Sequence, residues 1–375
     1  MSFLYKSASG YEARHSSYSA GSDYKRCRRL FKYKRLDGYK EKKRSAAFEM
    51  GKVLESAIQF YHENGLKPGD CVDQIKHLWT KFKDVTLEYT DQEGDWSDAY
   101  GMLAAQARLY ELALPTLPIQ HPKFQLEYRK ELWPGHPELG GLGDKAYVDM
   151  LSTLDDTTRI IIDIKNQRAP LAATENLVSL DPQLRRYAWL SGVRDVAFLW
   201  FTKARPSFKK GDEAVHLDMG RTLTVLKSDT SDLGIPVVYV GSSKTVKELG
   251  DSLDAIKGKG STEKKDELIQ QAVGSGALLV AAPEELTKCK IQFVRGIIPE
   301  DVLLEVGKTI GHEILSIRQS YAEDFWPQDT DIRGIGGKCS SCPMLGLCLK
   351  NPALVEERLV QIKKQEDDWI SDLEE

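Results

Sequence analysis

No stretch of this sequence approaches the ~20 consecutive apolar residues that a membrane-spanning helix needs. The longest, such as ALLVAAP after Gly276, stop far short. The opening MSFLYKSASGYEARHSS also lacks the apolar core of a signal peptide, so a cytoplasmic protein with no membrane partner is expected, in a host-cell cytoplasm if the chain is viral. Cysteine is scarce. Six in 375 residues are too few for a disulfide scaffold, and three of them crowd into CSSCPMLGLC, residues 339–348, which reads better as metal ligation in a reducing compartment. Net charge is small as well, only −4, so no single-sign field covers the molecule. Hydrophobic residues make up 41% of the chain, enough for a substantial core in one large domain or two ordinary ones.

The charge that is present is uneven. Residues 25–44, KRCRRLFKYKRLDGYKEKKR, carry eleven Lys or Arg against two acids, while the end, QEDDWISDLEE, is acidic. Interleaved Phe31, Tyr33 and Tyr39 make the basic segment a candidate phosphate-backbone contact, with Arg28 and Lys32 as substrate-binding residues. A solvated helix face is the other reading of the same charges.

Hydrophobic period points to an α/β fold. From Arg44 to Asn64, Ala47, Met50, Leu54, Ala57, Ile58 and Tyr61 recur at three- and four-residue steps, an amphipathic helix ending at Asn64-Gly65. A second helix is expected over Asp98 to Leu112. Then FQLEYRKEL, KAYVDML, TRIIIDIKN and DVAFLWFTK read as strands. Asp181-Pro182 marks the start of a helix over QLRRYAWL. Residues 204–236 give few signals and KGKGSTEKKD (257–266) reads as an exposed loop. KIQFVRGII reads as a strand, followed by helices from about Glu300 to Glu323 and from Pro352 to Asp368.

Chemistry concentrates in KAYVDMLSTLDDTTRIIIDIKN. Alternate strand residues share a face, so Asp163 and Lys165 project together while Ile162 and Ile164 point the other way. If the hairpin is symmetric about Asp156, Asp149 lies opposite Asp163, their Cβ atoms ~4.5–5.5 Å apart. Two carboxylates that close repel unless a cation lies between them, and oxygen ligands suit Mg²⁺ or Mn²⁺. Asp144, five residues before Asp149, is the rival partner but falls on the opposite face. A surface hairpin with a solvated Asp–Lys pair is the competing reading.

A D-(x)n-D-x-K core followed by Gln183-x-x-x-Tyr187, the basic YKRCRRLFKYKRL segment and the cysteine triplet together resemble the PD-(D/E)XK nuclease superfamily, specifically its RecB-like and AddB-like branch. The resemblance implies a restriction-endonuclease-like core, a mixed central β-sheet flanked by helices. It implies Asp149, Asp163 and the Ile164 carbonyl as ligands of Mg²⁺ or Mn²⁺, Lys165 orienting the attacking water, and Gln183 and Tyr187 facing the active site and DNA. Many relatives have a His four residues after the Gly of FEMGKVLE; here that position is Glu55, a further candidate ligand and catalytic residue, or else a solvated helix residue. Members with an iron–sulfur cluster place one cysteine before the core and three after it, which matches Cys27 with Cys339, Cys342 and Cys348 as ligands of a [4Fe–4S] cluster joining the N- and C-terminal segments. Structural Zn²⁺ is the alternative for four thiolates, and Cys71 or Cys289 the alternative to Cys27.

The expected organisation is a helical region and nuclease core (1–204), an insert or additional α/β region of unknown role (205–300), a long helix with the cysteine segment (301–350) and an acidic C-terminal helix or tail (351–375). The implied function is a DNA exonuclease acting on single strands or duplex ends in recombination, repair or phage replication, with a recombination or helicase protein as a possible partner. The alternatives are a non-catalytic DNA-binding or recombination subunit and a CRISPR-adaptation-like DNA-trimming nuclease.

Overall fold

The computed structural model describes residues 3–42, 46–85, 93–137, 139–155, 157–172, 175–204, 207–231, 233–328, 339 and 342–361. A short strand, β1 (His15–Ser16), leads into α1 (Tyr18–Arg26), where the Ser17 side chain caps the first turn by accepting from the Ala20 N–H. Three longer helices follow: α2 (Ala46–Glu63), α3 (Asp70–Val85) and α4 (Glu93–Ala113). In α2, Met50, Leu54, Ala57, Ile58 and Tyr61 are all buried, the stripe that their spacing sets. Gly65, just past the helix, takes a φ of 85°, which ends it where the sequence indicates.

The expected strands appear as β2 (Gln120–Glu131), β3 (Gly143–Thr153), β4 (Arg159–Gln167) and β5 (Asp195–Thr202), with α5 (Pro182–Ser191) between the last two. Asp181 caps α5 by accepting from the Gln183 and Leu184 N–H groups, and Gly192 closes it at φ 74°. Residues 213–287 build a second, five-stranded sheet from β6 (Glu213–His216), β7 (Arg221–Thr230), β8 (Pro236–Gly241), β9 (Leu278–Ala281) and β10 (Leu286–Thr287). Its order is β9-β8-β7-β6-β10. Helices α6 (Ser243–Ala255) and α7 (Ser261–Gly274) pack against it through Val246 and Ile269. The stretch read as a loop at 257–266 therefore opens a helix at Ser261. Ile269 alone is buried in α7, so the helix carries almost no apolar period.

The chain then returns to the first sheet as β11 (Lys290–Ile297), so the end of the stretch expected to be an insert belongs to the central sheet, antiparallel to β5. Helix α8 (Glu300–Ala322) follows. The expected terminal helix stops at Arg358, and Leu359–Gln361 instead pairs antiparallel with Tyr39–Glu41, tying the two chain ends together. Residues from 362 onward lie outside the described residues. No described helix is long and apolar enough to cross a membrane.

The central six-stranded sheet is mixed, in the order β11-β5-β4-β3-β1, with β2 also paired to β3. One face packs on α2, α3 and α4 through Met150, Ile160, Ile162, Ile164 and Leu199. The other packs on α5 and α8 through Ile161, Val196, Phe198, Leu184, Ile310 and Ile314. Strand β2 occupies one edge of β3 from Gly143 to Thr153. On the other edge, β1 takes Gly143 and Asp144, whereas β4 takes only Met150 to Thr153. The stretch between is left open, and β3 and β4 fork there.

Candidate active site

The fork gathers the acidic and basic side chains that the sequence singles out. Met150 pairs with Ile162, Leu151 with Ile161 and Ser152 with Ile160, so Asp149 and Asp163 are the next step of the same register, the symmetric hairpin expected from sequence. At that step the ladder opens, and Asp149 Oδ2 instead accepts the freed Ile164 N–H at 3.0 Å. Asp144, the rival, lies elsewhere, gripped by Arg186.

Asp163 is fully buried. Its Oδ2 pairs with the Lys165 ammonium at 2.6 Å. Burial and then Asp149 lift its pKa well above the carboxylate range. The same physics acts on its neighbours. Burial followed by the Glu55 charge raises Asp149 to about 7, and burial followed by the Asp163 charge raises Glu55 to about 7. Glu55 therefore faces the aspartates across the fork, in place of the solvated helix position that composition also allowed. Lys165 sits among them: burial pulls its ammonium down, but Asp163 and Asp149 outweigh that and raise it.

From Lys165 a hydrogen-bond chain leads to the helix. Lys165 Nζ donates to Gln183 Oε1 at 3.1 Å, and Gln183 Nε2 donates to the Tyr187 hydroxyl at 2.6 Å. Gln183 and Tyr187 are one turn apart on α5, hence on one face, and that face looks onto the fork. Two residues that sequence reasoning passed over also reach it. Gln125 of β2 donates to Glu55 Oε1, and the Tyr18 phenol, raised by burial and then by Asp181, also senses Lys165 and Asp163. No motif flags either one.

The donor chemistry is of the kind that suits a hard divalent cation: three carboxylates with raised proton affinity gather around one ammonium. Among the described residues, no group of three or more His, Cys, Asp or Glu side chains stands so arranged that it could hold a metal ion, the fork carboxylates and the cysteines included. Asp149, Asp163 and Glu55 are the residues that would hold such an ion, beside the Ile164 carbonyl.

A second cluster joins the chain ends. Cys27, Cys339, Cys342 and Cys348 line one small cavity with Arg26, Leu30, Met344 and Leu345. Cys27 stands between α1 and a short turn of helix at Arg28–Phe31. Burial raises the Cys342 and Cys348 thiols. Cys71 is buried among α2, α3 and α4, and Cys289 beside Leu109 and Leu217, so neither lines this cavity.

The basic segment is largely engaged within the protein. Lys32 holds both oxygens of Asp37 at 2.9 Å, and Lys34 and Arg35 hold Asp23. Phe31, read with the basic segment as part of a candidate phosphate-backbone contact, is fully buried and stacks on Trp326 at 5.8 Å. Arg28 remains exposed, its guanidinium 5.3 Å from the Tyr24 ring centroid.

Comparison with curated proteins finds no match. The solved structure titled "Crystal structure of SSO0001" aligns over 44% of this chain at 14% identity and a TM-score of 0.20, too remote to bear on the fold, and this chain covers 64% of it. A family model described as the PD-(D/E)XK nuclease superfamily matches residues 15–349, a span that contains the forked aspartates, Lys165 and the Gln183–Tyr187 helix, and the chain belongs to that superfamily.

Proposed function

We propose that the chain is a Mg²⁺- or Mn²⁺-dependent DNA nuclease of the RecB-like branch, working on single strands or duplex ends in recombination, repair or phage replication. The observation that carries this reading is the fork itself, where Asp149, Asp163 and Glu55 gather around Lys165, which pairs with the buried Asp163 at 2.6 Å. A divalent ion bound there supplies charge neutralisation at the scissile phosphate and a more acidic bound water. The protein's own groups do the rest. The Ile164 N–H fixes Asp149, Gln183 aims the Lys165 ammonium, and Tyr187 fixes Gln183 in turn. Lys165 is thereby held where it can orient a water and stabilise negative charge on phosphate. The end preference and the biological setting come from the resemblance to that branch.

The test is degradation of end-labelled single-stranded and duplex DNA with Mg²⁺, Mn²⁺ or EDTA, comparing wild type with Lys165→Ala. Metal-dependent cleavage that falls about 10²–10³-fold in the variant is expected, and a ladder growing from one labelled end marks an exonuclease. Cleavage that persists in EDTA, or that the variant leaves intact, overturns the reading.

At the cysteine cavity the resemblance implies a [4Fe–4S] cluster, with structural Zn²⁺ as the other metal that four thiolates suit. Protein purified without oxygen is expected to be coloured and to carry iron. Cys27→Ala loses that metal, whereas Cys71→Ala keeps it. A colourless protein holding zinc would replace iron with zinc in this reading, and metal retained in Cys27→Ala would remove Cys27 from the site.

A further inference from the structure

We infer that Gln125 is a positioning residue for Glu55, holding its carboxylate at the fork so that it can serve as a ligand for the divalent ion. The inference rests on the metal-dependent reading above and extends it to a residue that neither the D-(x)n-D-x-K pattern nor the Gln183–Tyr187 helix includes. Three observations carry it. The β2–β3 ladder runs from Phe124 opposite Met150 to Leu126 opposite Val148, which leaves Gln125 standing across from Asp149. There the backbone turns left-handed, with a φ of 49°, as it also does at His121 nearer the start of β2. The side chain so redirected donates its amide N–H to Glu55 Oε1.

The left-handed turn also switches the face of the strand: Phe124 packs with the α2–α4 side of the sheet and Leu126 with the α5–α8 side, and Gln125 is the side chain that this switch delivers to Glu55. Strain of this kind persists where the surroundings over-determine it, and it concentrates at sites that need one side-chain direction. The type of donor matters too. A lysine or arginine in this place would neutralise Glu55 and compete with a bound cation, whereas an amide is neutral. Gln125 fixes one carboxylate oxygen without cancelling the charge that attracts metal. Glu55 comes from α2, while Asp149 and Asp163 come from the sheet. A tie between β2 and α2 is what brings the helix-borne carboxylate to the sheet-borne pair.

The test is Mn²⁺ affinity of the DNA-free protein, measured by calorimetry, for wild type, Gln125→Gly, Glu55→Gln and the double variant, with melting in EDTA as the control. Glycine removes the side chain and relieves the left-handed backbone, so melting in EDTA is expected to be unchanged or higher. Mn²⁺ binding is expected to weaken about 10–100-fold, as for other groups that orient a ligand. In the Glu55→Gln background the glycine substitution is expected to cost nothing more. Should Gln125→Gly melt early, Gln125→Asn, which tolerates the same backbone but falls one methylene short, is expected to show the same loss of binding. Affinity within twofold of wild type in either variant, or an equal loss with and without Glu55, overturns the inference while leaving the nuclease reading intact. A wild type that binds no Mn²⁺, or an Asp163→Asn variant that binds as well as wild type, overturns both.

Discussion

Asp163→Asn is expected to do two opposite things: raise the melting temperature of the metal-free protein and lower metal-dependent DNA cleavage by about a thousandfold. The first follows from what Asp163 meets in the fork. It is fully buried, has Lys165 as its close cation and faces Asp149, so its ionised form is penalised. Removing that charge relieves burial and repulsion together. Lys165 loses its 2.6 Å partner in the exchange, but it keeps the Gln183 oxygen and the nearby Asp149 charge, so the net sign favours the variant. The pH dependence follows the same logic. Asp149 and Glu55 titrate at about 7 when folded, above the usual carboxylate range, and Asp163 is raised as well. Groups whose folded values are raised take up protons on folding. Their stabilising protonation is therefore fully present below the unfolded value near 4 and is lost as pH rises through about 7. In EDTA, wild-type melting is thus expected to fall between pH 6 and 8, and Asp163→Asn to fall less. Mn²⁺ competes with those protons, so its stabilisation of the wild type is expected to be larger at pH 8 than at pH 6 and to vanish in the variant. Thermal melts at the two pH values, with and without Mn²⁺, decide it. A wild type that gains stability with rising pH in EDTA, or a variant that melts earlier, would show that the carboxylates are not held against one another as described.

The sequence carried the central hairpin well because both of its determinants are local. RIIIDIKNQ is a β-branched run of strand length, and the polar LDDTT turn sets the register that puts Asp149 opposite Asp163. Asp181-Pro182 announced α5 for an equally local reason, a side-chain cap and a preset first turn. What stayed hidden depends on contacts distant in the chain. Phe31 lies among eleven cations and reads as a solvent-facing aromatic, yet Tyr5, Tyr24 and Trp326 enclose it. Gln125 reaches Glu55 only through a backbone torsion that no composition announces. The second sheet reads from sequence only as an additional α/β region, because its strands are short or interrupted: β7 shifts register between Val225 and Lys227, and α7 buries a single isoleucine. Cys27 meets the triplet, more than three hundred residues later, because Tyr39–Glu41 pairs with Leu359–Gln361.

The largest expected effect on stability lies beside the site, at Arg186. Its guanidinium grips both oxygens of Asp144 and reaches Glu313 Oε1 at 3.1 Å. Lys25 adds an ion pair to Glu313 Oε2 at 2.8 Å, and Ser16 donates to Oε1 at 3.4 Å. Arg186, Asp144 and Glu313 are all buried, so one network ties together α5, β3, α8, α1 and β1. The approach of α1 is close enough that a Cβ on Gly21 would come within 2.1 Å of Glu313 Oε1, which is why glycine stands there. Arg186→Ala takes the guanidinium from two buried carboxylates and leaves Glu313 the ion pair with Lys25, whose side chain is 60% exposed, and Asp144 a backbone hydrogen bond from Lys145. Breaking a buried pair on one side costs about 3–5 kcal/mol, since the stranded charge keeps its desolvation penalty. Arg186→Lys is expected to recover little of this, because a point ammonium cannot span the Asp144 oxygens and Glu313 together as the planar fork does. Urea unfolding with an unchanged m-value is the measurement. Arg186 also adjoins Tyr187 on α5, so the lysine variant is expected to bind Mn²⁺ normally, its ligands lying on other elements, yet to cleave DNA more slowly as Gln183 loses its aim at Lys165. A loss of stability under about 1 kcal/mol in Arg186→Ala, or full rescue by lysine, would mean that this network does not hold α5 against the fork.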